Sequence, residues 1–217
     1  MRKAILHLKK SDPVMRAIIE RVGPCRMEFG EPTFASLAES IVYQQLNGKA
    51  ALTIFNRFAA LAGDPLTPAG VLKLKPEQMR AVGLSKQKSS YLLDMAGRAG
   101  SGELDFSRVT EMTDDDVIAH LTQVKGVGVW TAHMFLMFTL RRENILPTGD
   151  YGIRMAMFKH YLDRSRTNKT GALANANRKR KIKLPTPQQM EKIAKSWEPY
   201  RSVACWYLWR SLDIKTL

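Results

Sequence analysis

The chain has 217 residues, 45% of them hydrophobic, and carries 34 Lys and Arg against 20 Asp and Glu, a formal net charge of +14. That length suffices for one large or two small domains with a core that needs no disulfide or metal, and the charge favours a polyanionic partner, because cations that neutralise phosphates release condensed counterions. The two cysteines, Cys25 and Cys205, make no zinc spacing and cannot hold a four-thiolate iron–sulfur cluster; with no apolar run of about 18 residues and no signal-peptide core in residues 1–10, an intracellular protein with two buried thiols is expected, cytoplasmic in a bacterium and nuclear in a eukaryote.

Helical periodicity dominates the chain, punctuated by Gly, Pro and Asp. Ser11-Asp12-Pro13 predicts the start of a helix that runs through Val14, Ile18, Ile19 and Val22 and stops at Gly23-Pro24. A second begins near Thr33, with Phe34, Leu37, Ala38, Ile41, Val42 and Leu46 as its apolar stripe. Another spans residues 48–61. Pro68 and Pro76 open short helices, the latter ending at Gly83, and residues 86–99 read as a helix ending at Gly100. Thr113 followed by Asp114, Asp115 and Asp116 resembles a cap with first-turn acids. Residues 127–140 are apolar nearly all round, which predicts a buried central helix. Helices are expected over 151–161, 188–197 and 200–212. No segment alternates convincingly with period two, so the expected class is all-α. Residues 163–183 are polar and strongly basic, and predict a loop or loosely ordered insertion that either grips phosphates or is simply solvated.

The most informative segment is Leu121-Thr122-Gln123-Val124-Lys125-Gly126-Val127-Gly128-Val129-Trp130-Thr131-Ala132. Two glycines between helices permit a positive φ and a close backbone approach, and the N–H groups of the next helix start can then meet an anion such as a DNA phosphate. The plain alternative is an ordinary helical corner. Beyond it comes Leu146-Pro147-Thr148-Gly149-Asp150, where Asp150 serves as a helix cap, a catalytic carboxylate, or both.

Taken together, the glycine hairpin followed by Trp-Thr-Ala and this Gly/Pro loop with its aspartate resemble the helix-hairpin-helix DNA glycosylase superfamily, and within it a compact form of the 3-methyladenine DNA glycosylase II group. The resemblance spans about residues 33–212. Larger bacterial members carry an N-terminal β-rich domain, and too few residues precede Thr33 for one here.

It implies two helical subdomains with a cleft between them, one of residues 31–145 holding the hairpin and one of 1–30 plus 146–217. It implies a monomeric, monofunctional enzyme that flips alkylated purines (3-methyladenine, 7-methylguanine) out of duplex DNA and hydrolyses the N-glycosidic bond with Asp150. A purine alkylated at N3 or N7 is already cationic and leaves without protonation, so one carboxylate suffices where neutral glycosides need two. Lyase relatives carry a lysine nucleophile where this chain has Trp130, so no strand-cleaving Schiff base is expected.

Trp130 and Trp209 match the aromatic pocket of the alkylpurine branch, with Met134 and Tyr43 as further pocket candidates and Trp206 a weaker one. Any of them is also a plausible plain core residue. Gln45 and Asn47 match residues that fill the gap left by a flipped nucleotide, and their ordinary role is capping a helix before Gly48. Leu84 matches a wedge between base steps, and Ser85, Lys86 and Lys88 match a loop that touches DNA. Lys125, Gly126, Gly128 and Thr131 form the hairpin contacts. Lys125 stands where relatives have proline, which loosens the turn and adds a phosphate-seeking cation. No cofactor is required by the resemblance, although members bind an ion through hairpin carbonyls, here those of Thr122, Val124 and Val127. Two other readings remain open at this point: a non-enzymatic DNA-binding module, and a glycosylase for oxidised or deaminated bases.

Overall fold

The structure is a computed structural model and describes residues 1–46, 48–163 and 182–213. Those residues form helices and no strand: α1 Arg2–Ser11, α2 Pro13–Val22, α3 Phe34–Tyr43, α4 Gly48–Ala62, α5 Pro68–Leu72, α6 Pro76–Ala81, α7 Lys86–Ser101, α8 Asp114–Thr122, α9 Val129–Phe138, α10 Tyr151–Met157, α11 Pro187–Ala194 and α12 Arg201–Asp213. A π-helical turn, Phe158–Leu162, continues α10, and a 3-10 turn, Lys195–Trp197, continues α11. No described helix is long and apolar enough to cross a membrane.

Side-chain caps fix most helix starts. Asp12, Thr33, Thr67, Ser85, Thr113, Asp150 and Thr186 each accept a backbone N–H of the following first turn, which satisfies a donor that the helix itself cannot. Three expectations need correction. α1 lies where no helix was predicted, because its capping residue, Met1, offers no side-chain acceptor and only Ala4 and Leu8 of its residues are buried. Nor is α9 buried all round: its inner face is sealed, but Val129 and Trp130 at its start are exposed. α7 also runs past Gly100 and ends at the left-handed Gly102.

The chain divides into two compact units, Met1–Met27 with Arg142–Leu217, and Glu28–Arg141. In the first, α2 packs on α1 and α12, and α10 packs on α12, around Leu8, Met15, Trp197, Tyr207 and Leu208. Its centre is a buried carboxylate. Asp12 Oδ1 accepts the N–H groups of Val14 and Met15, and Oδ2 accepts the Tyr161 hydroxyl at 2.9 Å and Trp197 Nε1 at 2.8 Å. Burial, reinforced by this negative charge, drives the Tyr161 hydroxyl far above its ordinary pKa. Asp12→Ala would strand two buried side-chain donors and remove a cap; we expect it to lower unfolding stability by about 3 kcal/mol, and a denaturant titration showing a loss below about 1 kcal/mol would contradict the hub.

In the second unit α7 packs against α3, α5 and α6, and α8 packs against α9. Leu37, Ile41, Phe58, Met79, Leu92, Met95, Leu121 and Phe135 are sealed between them.

Candidate functional site

The hairpin between α8 and α9 is built by short-range backbone bonds, Val124 N–H to Leu121 O at 3.2 Å and Val127 N–H to Val124 O at 3.0 Å. Gly126 takes φ +78°, a left-handed conformation that glycine adopts without strain. It also lies against the face of the Tyr91 ring, where a Cβ would have no room. Gly128 is different: its φ is −96° and it caps α9 with no side chain, and a Cβ there would meet nothing within 4 Å. Its role is therefore an open approach to the helix start rather than a backbone requirement.

Three residues that sequence reasoning missed hold this hairpin. Gln44 Nε2 donates to Gly126 O at 2.9 Å and lies 3.4 Å from Thr131 Oγ1. Tyr91 supports Gly126 from α7. Asp94 Oδ2 accepts the Lys125 N–H at 2.9 Å and Arg98 Nε at 3.2 Å, while Oδ1 lies 3.4 Å from Lys125 Nζ. Burial works against ionisation of Asp94, but the Lys125 N–H and the Arg98 and Lys125 side chains outweigh it and hold its carboxyl below the usual value. Lys125 thus does not loosen the turn. The N–H that a proline would lack is captured by Asp94, and the lysine ammonium shares that carboxylate. The carbonyls of Thr122, Val124 and Val127 belong to the same hairpin, and no group of three or more His, Cys, Asp or Glu suited to a metal occurs among the described residues.

Beside the hairpin, a cavity of about 760 Å³ is lined by Tyr43, Gln44 and Gln45 from the end of α3 and by Trp130, Thr131, Met134 and Phe138 from α9. The helical spacing of 130, 134 and 138 puts these three on one face. Trp130 is 46% exposed, an aromatic face offered at the rim of a pocket rather than spent in the core. Glu39 stands one turn before Tyr43 on α3, and burial, together with that nearby carboxylate, raises the pKa of the Tyr43 hydroxyl. Gln45 is exposed and holds φ +58°, an uncommon backbone state for a non-glycine residue and one concentrated at functional turns. Next to it Leu46, which sequence reasoning passed over as a site residue, is 40% exposed and lines the same cavity. Asn47 lies outside the described residues, as does nearly all of the basic 163–183 segment.

The loop before α7 departs from expectation at two positions. Leu84 is 3% exposed; its side chain is part of the core, so it is not placed to wedge between bases, and Leu46 is the exposed apolar residue of this region. Lys88 is not a free cation: its Nζ donates to Val42 O and to Gln44 O, both at 2.6 Å. Partial burial lowers its pKa, and its ammonium ties the end of α3 to α7. Ser85 caps α7 through the Lys88 N–H. Lys86 is exposed. On α9, the Thr131 side chain is 4% exposed and faces the cavity and Gln44, so it is not placed to touch DNA from the surface.

The carboxylate of interest lies in the first unit. Asp150 caps α10 and is 8% exposed. Its Oδ1 accepts the Ile153 N–H at 2.7 Å and Trp209 Nε1 at 2.9 Å, so Trp209 is a direct partner of this carboxylate. Gly152 makes the arrangement possible, since a Cβ there would approach Trp209 Cδ1 to 2.9 Å and Asp150 Oδ1 to 3.2 Å. The loop leading to Asp150 is fastened to α12, with Ser202 Oγ accepting the Ile145 N–H at 3.1 Å and donating to Arg142 O at 2.6 Å. Cys205, also on α12, is fully buried and unoxidised; burial and, secondarily, the Asp150 charge push its thiol far up in pKa, so it is inert. Cys25 is a free thiol and only half-buried.

Residues 38–183 match the family model described as HhH-GPD superfamily base excision DNA repair protein. The chain is 33% identical over 216 residues to DNA-3-methyladenine glycosylase 1 of Schizosaccharomyces pombe, covering 96% of this chain and 86% of that one. Among solved structures it is similar to the S. pombe 3-methyladenine DNA glycosylase in complex with abasic DNA, with TM-score 0.77, 31% identity and coverage of 98% and 97% of the two chains. It is also similar to a DNA-3-methyladenine glycosidase from Bacillus halodurans, with TM-score 0.74, 32% identity and coverage of 95% and 87%. A chain whose described residues are helical, with a glycine hairpin beside an aromatic pocket in one unit and a buried, helix-capping aspartate in the other, thus belongs to the HhH-GPD superfamily of base excision DNA repair proteins.

Proposed function

We propose that this protein is a monofunctional DNA glycosylase that removes alkylated purines, 3-methyladenine and 7-methylguanine among them, from duplex DNA by base flipping and hydrolysis. The observation that carries the reading is Asp150, a carboxylate withdrawn from bulk water whose Oδ1 is fixed by the Ile153 N–H and Trp209 Nε1. Cleavage of the N-glycosidic bond leaves positive charge on the sugar, as in other glycoside hydrolyses. A fixed carboxylate in a partly desolvated site stabilises that charge and orients or deprotonates the attacking water. The Trp209 N–H and the α10 start hold Asp150 in one orientation.

Trp130, Tyr43 and Met134 accept the flipped base, whose electron-poor ring stacks well on electron-rich faces. The N–H groups at the start of α9, left without a side-chain cap by Gly128, receive a backbone phosphate. An ion held by the carbonyls of Thr122, Val124 and Val127 would add positive charge at the same place. Trp130 offers no amine, so the product is an intact abasic strand. Such an enzyme works as a monomer wherever the genome is, in the bacterial cytoplasm or the nucleus.

The direct test is incubation of the protein with methylated duplex DNA followed by chromatography of free bases. Release of methylated purines with unbroken strands is expected; binding without release would leave only a DNA-clamping module. The two lysines of the α7 start separate in the same system. Lys86→Ala should lower the slope of log affinity against log salt by about 0.9, one phosphate contact. Lys88→Ala should leave that slope unchanged and cost about 2 kcal/mol of stability, since two carbonyls lose a charged donor. A slope change at Lys88 would return that residue to the DNA surface.

A further inference from the structure

Apart from Glu39, the cavity beside the hairpin is lined by uncharged side chains. In a protein with a net charge of +14, the one charged residue lining it, among the described residues, is negative. Glu39 stands on α3 one turn before Tyr43 and shares the cavity wall with Tyr43, Trp130 and Met134. It is half-buried, forms none of the ion pairs found among the described residues, and plays no part in the hairpin or in the Asp150 chemistry. A carboxylate beside a phosphate-binding surface is unfavourable for DNA affinity, because it repels the backbone. Its position is explained if what enters the cavity is a cation.

We propose that Glu39 is a specificity-determining residue, whose carboxylate on the pocket wall selects purines bearing a fixed positive charge over neutral purines of the same shape. The inference rests on the glycosylase reading for its substrate and deepens it. The electrostatics also fix which step Glu39 serves. An N3- or N7-alkylated purine carries its charge on the base while the glycosidic bond is whole, and that charge drains to the sugar as the bond breaks. A carboxylate facing the base therefore stabilises the captured base more than the transition state, so it improves binding without raising the rate of bond cleavage. Glu39 is the sieve, and Asp150 the catalytic group. Tyr43, on the same wall, offers a ring on which the base stacks.

The test compares wild type, Glu39→Gln, Glu39→Asp and Tyr43→Phe, all as the full chain. Binding is read by tryptophan fluorescence with two small probes: 3,9-dimethyladeninium, a fixed cation, and neutral 9-methyladenine. Wild type should prefer the cation by about tenfold, the size of one screened charge contact near a surface. Glu39→Gln keeps the side-chain shape and removes the charge, so the preference should fall to about unity through weaker cation binding alone. Glu39→Asp should retain most of the preference, and Tyr43→Phe, which keeps the stacking ring and the Glu39 charge, should leave the preference near wild type.

In single-turnover excision of 7-methylguanine from duplex DNA, Glu39→Gln should raise the half-saturating concentration and leave the maximal rate unchanged or higher. An undiminished cation preference in Glu39→Gln, equal loss for both probes, or a lowered maximal rate overturns the proposal. Should Glu39→Gln not fold, loss of preference in Glu39→Asp despite a retained charge overturns it, and its retention there supports it. The probe measurements need no base release. A wild type that prefers the cation through Glu39 but excises nothing would refute the glycosylase reading and leave the sieve standing, whereas active excision with no charge preference would do the reverse.

Discussion

Asp150→Asn should reduce the release of methylated purines by about a thousandfold or more, the scale of losing a general base and a charge stabiliser together, while binding of duplex DNA is retained. The structure makes this substitution unusually clean. Asparagine is as good a helix cap as aspartate, and its Oδ1 can still accept the Ile153 N–H and Trp209 Nε1 that Asp150 holds. Shape, cap and tryptophan orientation persist; only the charge goes. Circular dichroism and a thermal melt should therefore match wild type, and a gel-shift assay with methylated DNA should show binding. Base release near the wild-type rate would refute the assignment of Asp150 as the catalytic carboxylate.

The second large effect is expected at the hairpin, where two glycines one residue apart should respond in opposite ways. Gly126→Ala places a side chain at φ +78° and drives its Cβ into the Tyr91 ring. Left-handed strain costs about 1–2 kcal/mol and overpacking about 1–3 kcal/mol, so a loss of roughly 2–4 kcal/mol of stability is expected. Because Gln44 is bonded to the carbonyl of that residue, the phosphate-facing turn moves with it, and DNA affinity should fall roughly tenfold or more, the worth of one charge-assisted hydrogen bond. Gly128→Ala has an ordinary φ and open space. Its stability change should stay below about 1 kcal/mol, yet a methyl group at the mouth of α9 should still obstruct a phosphate and weaken binding. Equal melting temperatures for the two variants would contradict this division.

How much of this was legible in the sequence depends on the range over which each residue acts. Helix starts were readable because their determinants are local: Asp12, Thr33, Thr113 and the Pro residues at 13, 68 and 76 act within one turn. α1 escaped because it has neither a side-chain cap nor a dense apolar stripe. α9 reads as buried throughout because composition cannot distinguish an apolar side chain that packs inward from one left exposed, as Val129 and Trp130 are. The motif pointed to Tyr43, Trp130 and Met134, which meet at one cavity, and to Asp150. It could not point to Gln44, Asp94 or Tyr91, whose partners arise only on folding, or to Glu39, which folding brings to the cavity wall. Lys88 and Leu84 show the same limit from the other side. A surface-like lysine finds two carbonyls more than forty positions away, and a leucine in a turn sinks into the core.

Gln44 joins two tasks that are separable in principle. Its amide spans from the carbonyl of the hairpin glycine to the hydroxyl on the inner face of α9, and its own carbonyl is pinned by Lys88. On the proposed reading, the grip on the strand and the wall of the base chamber are therefore joined through one side chain, with their spacing set before any nucleotide arrives. Lesion preference can then drift through residues that Gln44 does not touch, such as Met134, without disturbing the hold on undamaged DNA. A change at Gln44 itself alters both at once.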